Sequence, residues 1–404
     1  MQKDLDRLKP KTHLGPRSTC LHGTRVETIG FVLSWIARSN GSILWLSGLA
    51  GTGKSSIMGT IACHAREMGV QSRLGAFIRF DRLEMNDPSG FFTSLAYELS
   101  HFDNEIGKLI AEVVKRRPDI ADCSFSTQCD DLITKPLKSI GRLPKAGPLV
   151  ILIDGMDECK RSDKRDELLH VLSSKLQPNL PFLKVVIASR PEHDLEVTFI
   201  SSEKPWITPY PLDQSSDAVD QDIRRYFENK LGEIQDPAFH TYCHDNNAIG
   251  KLTERASGLF IWADTVYRFI KMLPKPRIAV VLNTSIPLKA QDALTTLYTT
   301  ALDSILSENG CDDDITHGVM TVLGSVVTAK HPLTVPIIDG LFFPDDTNVG
   351  ASDFLQKLVS VATVSDDGIV RLLHKSFDDF LLAPSRCGLN WYIDTEAFHR
   401  RMTI

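Results

Sequence analysis

The sequence predicts an α/β fold, a parallel sheet covered by helices, followed by a helical domain and a winged-helix domain. Three observations predict it. Short apolar runs alternate with amphipathic stretches through the first half of the 404 residues, the strand signal largely stops near residue 212, and a two-stranded alternation returns only around "SDDG" close to the C-terminus. Apolar strands that alternate with amphipathic helices imply parallel strands buried on both faces.

The elements follow in chain order. Ile29, Val32, Leu33 and Ile36 share one face of "TIGFVLSWIARS" and predict a helix at the end of an N-terminal segment, residues 1–40. "SILWLSG" (42–48) reads as a short buried strand, and "SSIMGTIACHAREMG" (55–69) as a helix with Ile57, Ile61, Ala62 and Ala65 inward. "LGAFIRF" (74–80) is a strand, 90–140 is helical, and "PLVILIDG" (148–155) is too apolar for a half-exposed strand. After the helix "DKRDELLHVLSSKL" comes "FLKVVIASR" (182–190), another buried strand, which closes an α/β domain at 41–211. "SSDAVDQDIRRYFENKLG" and "LTERASGLFIWADTVYRFIKML" read as two helices of a domain at 212–290, with "PKPR" (274–277) and "SENGCDDD" (307–314) as breaks. Within 291–390, two helices, a "HPLTVPIIDGLF" segment and the alternation around "SDDG" suggest a winged helix, before a tail at 391–404.

Composition sets bounds. Hydrophobic content of 42% and charged content of 24% are those of a soluble globular protein. A net charge of −6 gives no electrostatic case for nucleic acid or an anionic membrane. No apolar run approaches the roughly 20 residues a membrane helix needs. The N-terminal "MQKDLDRLKPKTHLGPRSTC" has no signal-peptide core, and the eight scattered cysteines form no CxxC pair, so reduced cytoplasmic thiols are expected. His240, Cys243 and His244 could make half a zinc site, but no second pair follows at finger spacing.

"GLAGTGKS", Gly48 to Ser55, fits G-x-x-x-x-G-K-[ST] between a predicted strand and a predicted helix, the context a P-loop requires. Gly48, Leu49, Ala50, Gly51, Thr52, Gly53, Lys54, Ser55 and the following Ser56 are therefore candidates for a phosphate cradle. Glycines let successive amides turn toward phosphate oxygens, and the helix N-terminus adds partial positive charge. Lys54 would reach the outer phosphates and the Ser55 hydroxyl a Mg²⁺ ion. A P-loop needs an acid on a neighbouring strand for that metal, and Asp154 ends the apolar run of "LVILIDGMDE". Asp157 and Glu158 follow; either could polarise a water for attack on a γ-phosphate. Ser189 and Arg190, in "VVIASRPE", end another strand and should face the same ligand, Arg190 as a γ-phosphate sensor or a stabiliser of developing charge.

These motifs, with "CLHGTR", "DGMDE", "ASGLFIWADTVYRFI" and "LLHKSFDDFLL", resemble the NACHT subgroup of STAND P-loop NTPases, most closely the NACHT proteins of filamentous and mushroom-forming fungi. The resemblance runs over residues 20–400. It implies a P-loop NTPase domain, a helical domain and a winged helix that act as a switch in signalling or innate-immunity-like recognition. The switch is closed with ADP, and open and self-associating with ATP and Mg²⁺. It implies Asp157 and Glu158 for slow hydrolysis, places the segment Gly23 to Arg25 near the base, and gives His374 a contact with the β-phosphate. Asp378 and Asp379 are expected on a solvated or interdomain face. Relatives commonly carry an N-terminal signalling segment and a C-terminal repeat array. The expectation here is a fragment, a truncated form, or protein partners that supply those functions.

Rival readings are weaker. A small-molecule kinase wants an acceptor pocket and lid, which no helical stretch suggests. A remodelling ATPase wants an arginine finger, for which Arg82, Arg224 and Arg225 stand open. A GTPase wants N/T-K-x-D, and "NKLG" and "TKPL" lack the aspartate. A nucleic-acid-binding winged helix wants clustered cations, whereas this one carries "CDDDI", "PDDT", "SDDG" and "FDDF".

Overall fold

The computed structural model describes residues 1–402 except 11, 13, 17, 39, 68–72, 83, 201–202, 214–215, 285–289, 309–312 and 344–348. The "PDDT" stretch and residues 309–312 of the 307–314 break lie outside the described residues. The chain divides into two compact units, Met1–Leu49 with Gly53–Leu212, and Ala50–Thr52 with Asp213–Ile404.

The first unit is built on five parallel strands, β1 (Ile43–Ser47), β2 (Arg73–Arg79), β3 (Leu149–Asp154), β4 (Leu183–Ser189) and β5 (Ile207–Pro211), in the order β2-β3-β4-β1-β5. Because side chains alternate along a strand, each central strand feeds two cores. Ile43, Trp45, Ile151, Ile153, Val185 and Ile187 point to one face, where the helices Phe91–Phe102, Asn104–Arg116 and Asp163–Asn179 cover them. Leu44, Leu46, Val150, Leu152, Val186 and Ala188 point to the other, under Val26–Arg38 and Lys54–Glu67. Two buried faces explain why these strands read as unbroken apolar runs. The acid-bearing strand β3 is not the immediate neighbour of β1; β4 lies between them, pairing with both.

Strand β5 was outside the strand reading, and its sequence "ITPYP" says why: Pro209 and Pro211 argue against a strand with neighbours on both sides. It pairs on one side, with β1. Leu212 N–H donates inward to Ser47 O at 2.7 Å, so 207, 209 and 211 face outward by alternation. Proline is tolerated there because no ladder bond is lost.

The second unit has one continuous apolar core running from Val219 to Phe398. The stretch predicted as one helix over "LTERASGLFIWADTVYRFIKML" is two, Ala248–Ala256 and Phe260–Met272. Ser257 (φ +47°) and Gly258 (φ +77°) stand in the left-handed region between them and end the first helix. The break at "PKPR" is the start of a further helix, Pro274–Asn283, with proline in its first turn, where the missing N–H costs nothing. Farther on come Ala290–Glu308, Asp313–Thr328, Val335–Phe342 and Ala351–Lys357, then an antiparallel pair, β6 (Ala362–Val364) and β7 (Val370–Leu372). The turn between the paired strands closes on Gly368 (φ +76°), and Thr334 forms an isolated bridge with Ile369 beside it. No helix among the described residues is long and apolar enough to cross a membrane.

Candidate functional site

The strongest sequence motif occupies the turn from β1 into the helix Lys54–Glu67. Gly48 N–H donates to Ser189 O at 3.2 Å, which fixes the loop's entry to the end of β4. Gly51 (φ +81°) and Gly53 (φ +88°) take conformations that side chains resist. Gly51, within the second unit, also accepts from Ile261 N–H at 3.1 Å, and a Cβ there would lie 1.9 Å from Ile261 Cγ2. Thr52 is fully buried, whereas the Leu49 side chain is exposed, so Leu49 offers the site only its backbone. Ser55 and Ser56 are half-buried in the first helical turn, and Ser56 Oγ lies 2.9 Å from Ser18 Oγ in the segment that crosses this helix.

Lys54 folds back into the loop, donating to Gly48 O and Leu49 O, both at 2.8 Å. Burial of its ammonium lowers its pKa to about 8, against the raising pull of Asp157 and with the repulsion of Arg190. Asp154 and Glu158 act on it in the raising sense as well. The structure thus brings Lys54, Asp154, Asp157, Glu158 and Arg190 into one charged group at the ends of β1, β3 and β4.

The acids are held by the backbone of that loop. Asp154, 2% exposed, is the last residue of β3, and its carbonyl accepts Phe80 N–H at 2.9 Å. Gly155 (φ +72°) turns the chain so closely past β2 that a Cβ would sit 2.9 Å from Phe80 O. This is why a glycine follows the first acid of "DGMDE". Met156 then plugs the core, and a single 3₁₀ turn, Met156–Glu158, presents the next two acids. Glu158 Oε2 accepts Arg82 N–H at 3.3 Å. Asp157 is buried, with Oδ1 accepting Arg190 N–H at 3.1 Å and Oδ2 lying 3.3 Å from Arg190 Nε.

One expectation changes here. Ser189 does not offer its hydroxyl to a ligand: it is fully buried and accepts Trp45 Nε1–H at 2.8 Å. Arg190 is paired with Asp157. Arg25 is buried at φ +54°, in a turn that also holds Gly23 at φ +81°, and its carbonyl starts the helix Val26–Arg38 by accepting Ile29 N–H. A non-glycine residue in that conformation is uncommon and costs strain.

His374 lies in the second unit as the N-cap of the helix Lys375–Leu381. Its Nδ1 accepts Ser376 N–H at 3.1 Å and lies 2.7 Å from Ser376 Oγ, which is 2.7 Å from Tyr298 OH. The ring proton of the neutral imidazole is therefore on Nε2. Asp378, expected with Asp379 on a solvated or interdomain face, is buried, and Asp379 is half-buried. Asp378 is one turn into a helix whose Phe377, Phe380 and Leu381 are drawn into the core. His240 has a local use, its Nε2 lying 2.6 Å from Ile234 O. Sequence reasoning missed Arg165, 1% exposed, which bonds to both the acid loop and the loop after β4. The signal was available, since Arg165 falls on the stripe of Leu168, Leu169, Leu172 and Leu176, where a cation is out of place.

The family described as "Nephrocystin 3, N-terminal" matches residues 30–190. No curated protein matches the chain. Among solved structures, it is similar to a Signal Transduction ATPase with Numerous Domains (STAND) carrying a tetratricopeptide-repeat sensor, from Pyrococcus horikoshii. That likeness has 14% identity and a TM-score of 0.52, covering 96% of this chain and 46% of the other. It is also similar to a Walker-type ATPase of Pyrococcus abyssi, at 14% identity and a TM-score of 0.43, covering 90% of this chain and 97% of that one. A third likeness is to the ORC2 protein of Aeropyrum pernix, at 10% identity and a TM-score of 0.39, covering 98% and 96%. The chain spans less than half the length of the STAND protein, and its fold is that of a P-loop ATPase.

Proposed function

We propose that this chain is an ATP- and ADP-binding regulatory switch of the NACHT type, reset by slow Mg²⁺-dependent hydrolysis. One observation carries the reading: a lysine with a depressed pKa, folded onto two carbonyls of its own glycine loop, ringed by three acids and an arginine at parallel strand ends. Such a cation has more to gain from a phosphate than from neutral carbonyls. Ligands of open parallel sheets gather at that end of the strands.

The loop amides from Gly48 to Ser56 and the Lys54 ammonium would hold the phosphates. The Ser55 hydroxyl and Asp154 are hard oxygen donors of the kind Mg²⁺ takes, and the ion when bound would neutralise phosphate charge. Glu158 is the residue we assign to orienting the attacking water. Arg190 would exchange its partner, leaving Asp157 for a γ-phosphate, so that the pair reports which nucleotide is bound. Asp157 would then be released to accept a proton. Arg25 is assigned to the base side, on the strength of its strained turn.

We further propose that residues 212–290 form a helical domain and 291–390 a winged helix, an order supported by helix, bridge, two helices and hairpin. In the closed state His374 would donate Nε2–H to the β-phosphate of ADP. A switch of this kind needs only a few kcal/mol of differential affinity between two arrangements. Its ATP form would self-associate in the cytoplasm and pass a signal to protein partners. A second reading, a nucleotide-binding adaptor that does not hydrolyse, is favoured by the two-point hold of Arg190 on Asp157.

The test is to denature purified protein and identify the nucleotide released, alongside Lys54→Ala and His374→Ala. ADP in the wild type, none with Lys54→Ala and weakened retention with His374→Ala are expected. ADP retained fully without His374 would limit that residue to helix capping. No nucleotide in any form, with no uptake of added Mg·ATP, would sink the switch.

A further inference from the structure

We infer that Arg165 is a positioning residue for the acid loop: its guanidinium pins the loop after β3 to the loop after β4, and so sets where Asp157, Glu158 and Arg190 stand. The inference rests on the nucleotide-switch reading above.

Arg165 Nη1 donates to Cys159 O at 2.9 Å, immediately after the turn that carries Asp157 and Glu158. Its Nη2 donates to Glu192 Oε2 at 2.9 Å and lies 3.0 Å from Asp194 Oδ2. Glu192 N–H in turn donates to Arg190 O at 3.0 Å, so this carboxylate belongs to the turn that carries Arg190. Arg161 reaches the same Glu192 oxygen from the exposed side, at 3.0 Å. Burial pushes the Glu192 carboxyl up, but the Arg165 and Arg161 guanidiniums outweigh it and hold it below the usual range. The pin is therefore charged on both sides.

A leucine would fit the stripe at 165 without desolvating a cation, and replacing buried ion pairs by apolar groups is often neutral or stabilising. What an apolar residue cannot do is join two loops. The loops are also joined by Arg161 to Glu192 on the exposed side and by Asp157 to Arg190, and the second of these bonds has to open if Arg190 is to turn to a γ-phosphate. Arg165 supplies the buried connection that persists when that bond lets go, whereas the Arg161 pair is exposed to water and correspondingly weak. A planar, five-donor fork can serve three acceptors on two loops, which an ammonium on a flexible stem does poorly.

The test compares Arg165→Lys, which keeps the charge, and the double variant Glu192→Gln/Asp194→Asn, which keeps the Cys159 bond. The probes are ADP, a non-hydrolysable ATP analogue and single-turnover ATP. Hydrogen exchange of the 155–160 and 189–192 amides is followed in the same proteins, with thermal melting to confirm folding. The expected result is ADP affinity close to wild type, a fall of roughly 10- to 100-fold in turnover and in ATP-over-ADP preference, and joint loss of protection in both segments. Unchanged preference and protection in both variants would overturn the inference. So would an ADP affinity that falls as far as the turnover, since Arg165 would then be supporting the glycine loop. If the wild type binds no nucleotide, the switch reading fails by itself. Exchange still decides the pin: joint loss keeps it, and independent behaviour of the two segments overturns it.

Discussion

Two cations of the first unit are both withdrawn from water, yet they are met in opposite ways. Arg165 has two carboxylates and a carbonyl on its fork, and no nearby element asks it to move. Lys54 has two carbonyls of its own loop, with the nearest acids acting on it as through-space charge. The first supplies full counter-charge, though Arg165 Nε is left without a partner; the second leaves the ammonium with neutral acceptors alone in hydrogen-bond contact. A buried cation marks a ligand site by how poorly its counter-charge is supplied.

That contrast can be broken at either end. The largest effect is expected from Lys54→Met: loss of two or more charge-assisted phosphate bonds should weaken ATP and ADP by roughly 100-fold or more, measured by titration calorimetry. Unchanged affinity would remove Lys54 from the site. Arg165→Met should instead leave two carboxylates facing a thioether and cost about 3 kcal/mol of folding stability in denaturant melts. If it proves neutral, the pin contributes nothing to the fold.

The pH dependence sharpens the comparison. The Lys54 pKa falls from 10.5 to about 8 on folding, so the unfolded chain binds more protons between those values. Stability of the nucleotide-free protein should then rise as pH increases from about 8 to 10.5, by at most roughly 3 kcal/mol, and Lys54→Met should abolish the rise. Glu192 runs the other way: its depressed pKa gives stability that is lost as pH falls below the ordinary glutamate range, and the Arg165 variants should flatten that loss. The smallest change is Gly155→Ala. Its φ of +72° and the 2.9 Å approach to Phe80 O predict a cost of about 1–3 kcal/mol, with turnover impaired more than ADP binding.

Much of the first unit was legible because its strands are buried on both faces and its candidate site residues lie in short motifs at strand ends. Lys54, Asp154 and the two following acids could be named from spacing alone, and the structure groups them. What was not legible depends on contacts far apart in sequence. That Ser189 serves Trp45, 144 residues away, or that Asp157 is held by Arg190, cannot be read from either neighbourhood. The Ser257–Gly258 pair is a turn signal that the apolar helical pattern on either side overrode, and two prolines hid a real strand. Helical spacing turns Asp378 inward with Phe377 and Leu381, a placement that the doubled aspartate alone does not reveal.

Those prolines have a consequence for how copies of this protein can meet. Along the outer rim of β5, Ile207 spends its N–H on Lys204 O, and Pro209 and Pro211 have none to give. A strand arriving from another molecule would find acceptors and not one backbone donor. That rim is closed to sheet extension, so a contact between copies along β5 would have to be made by side chains and not by a shared ladder.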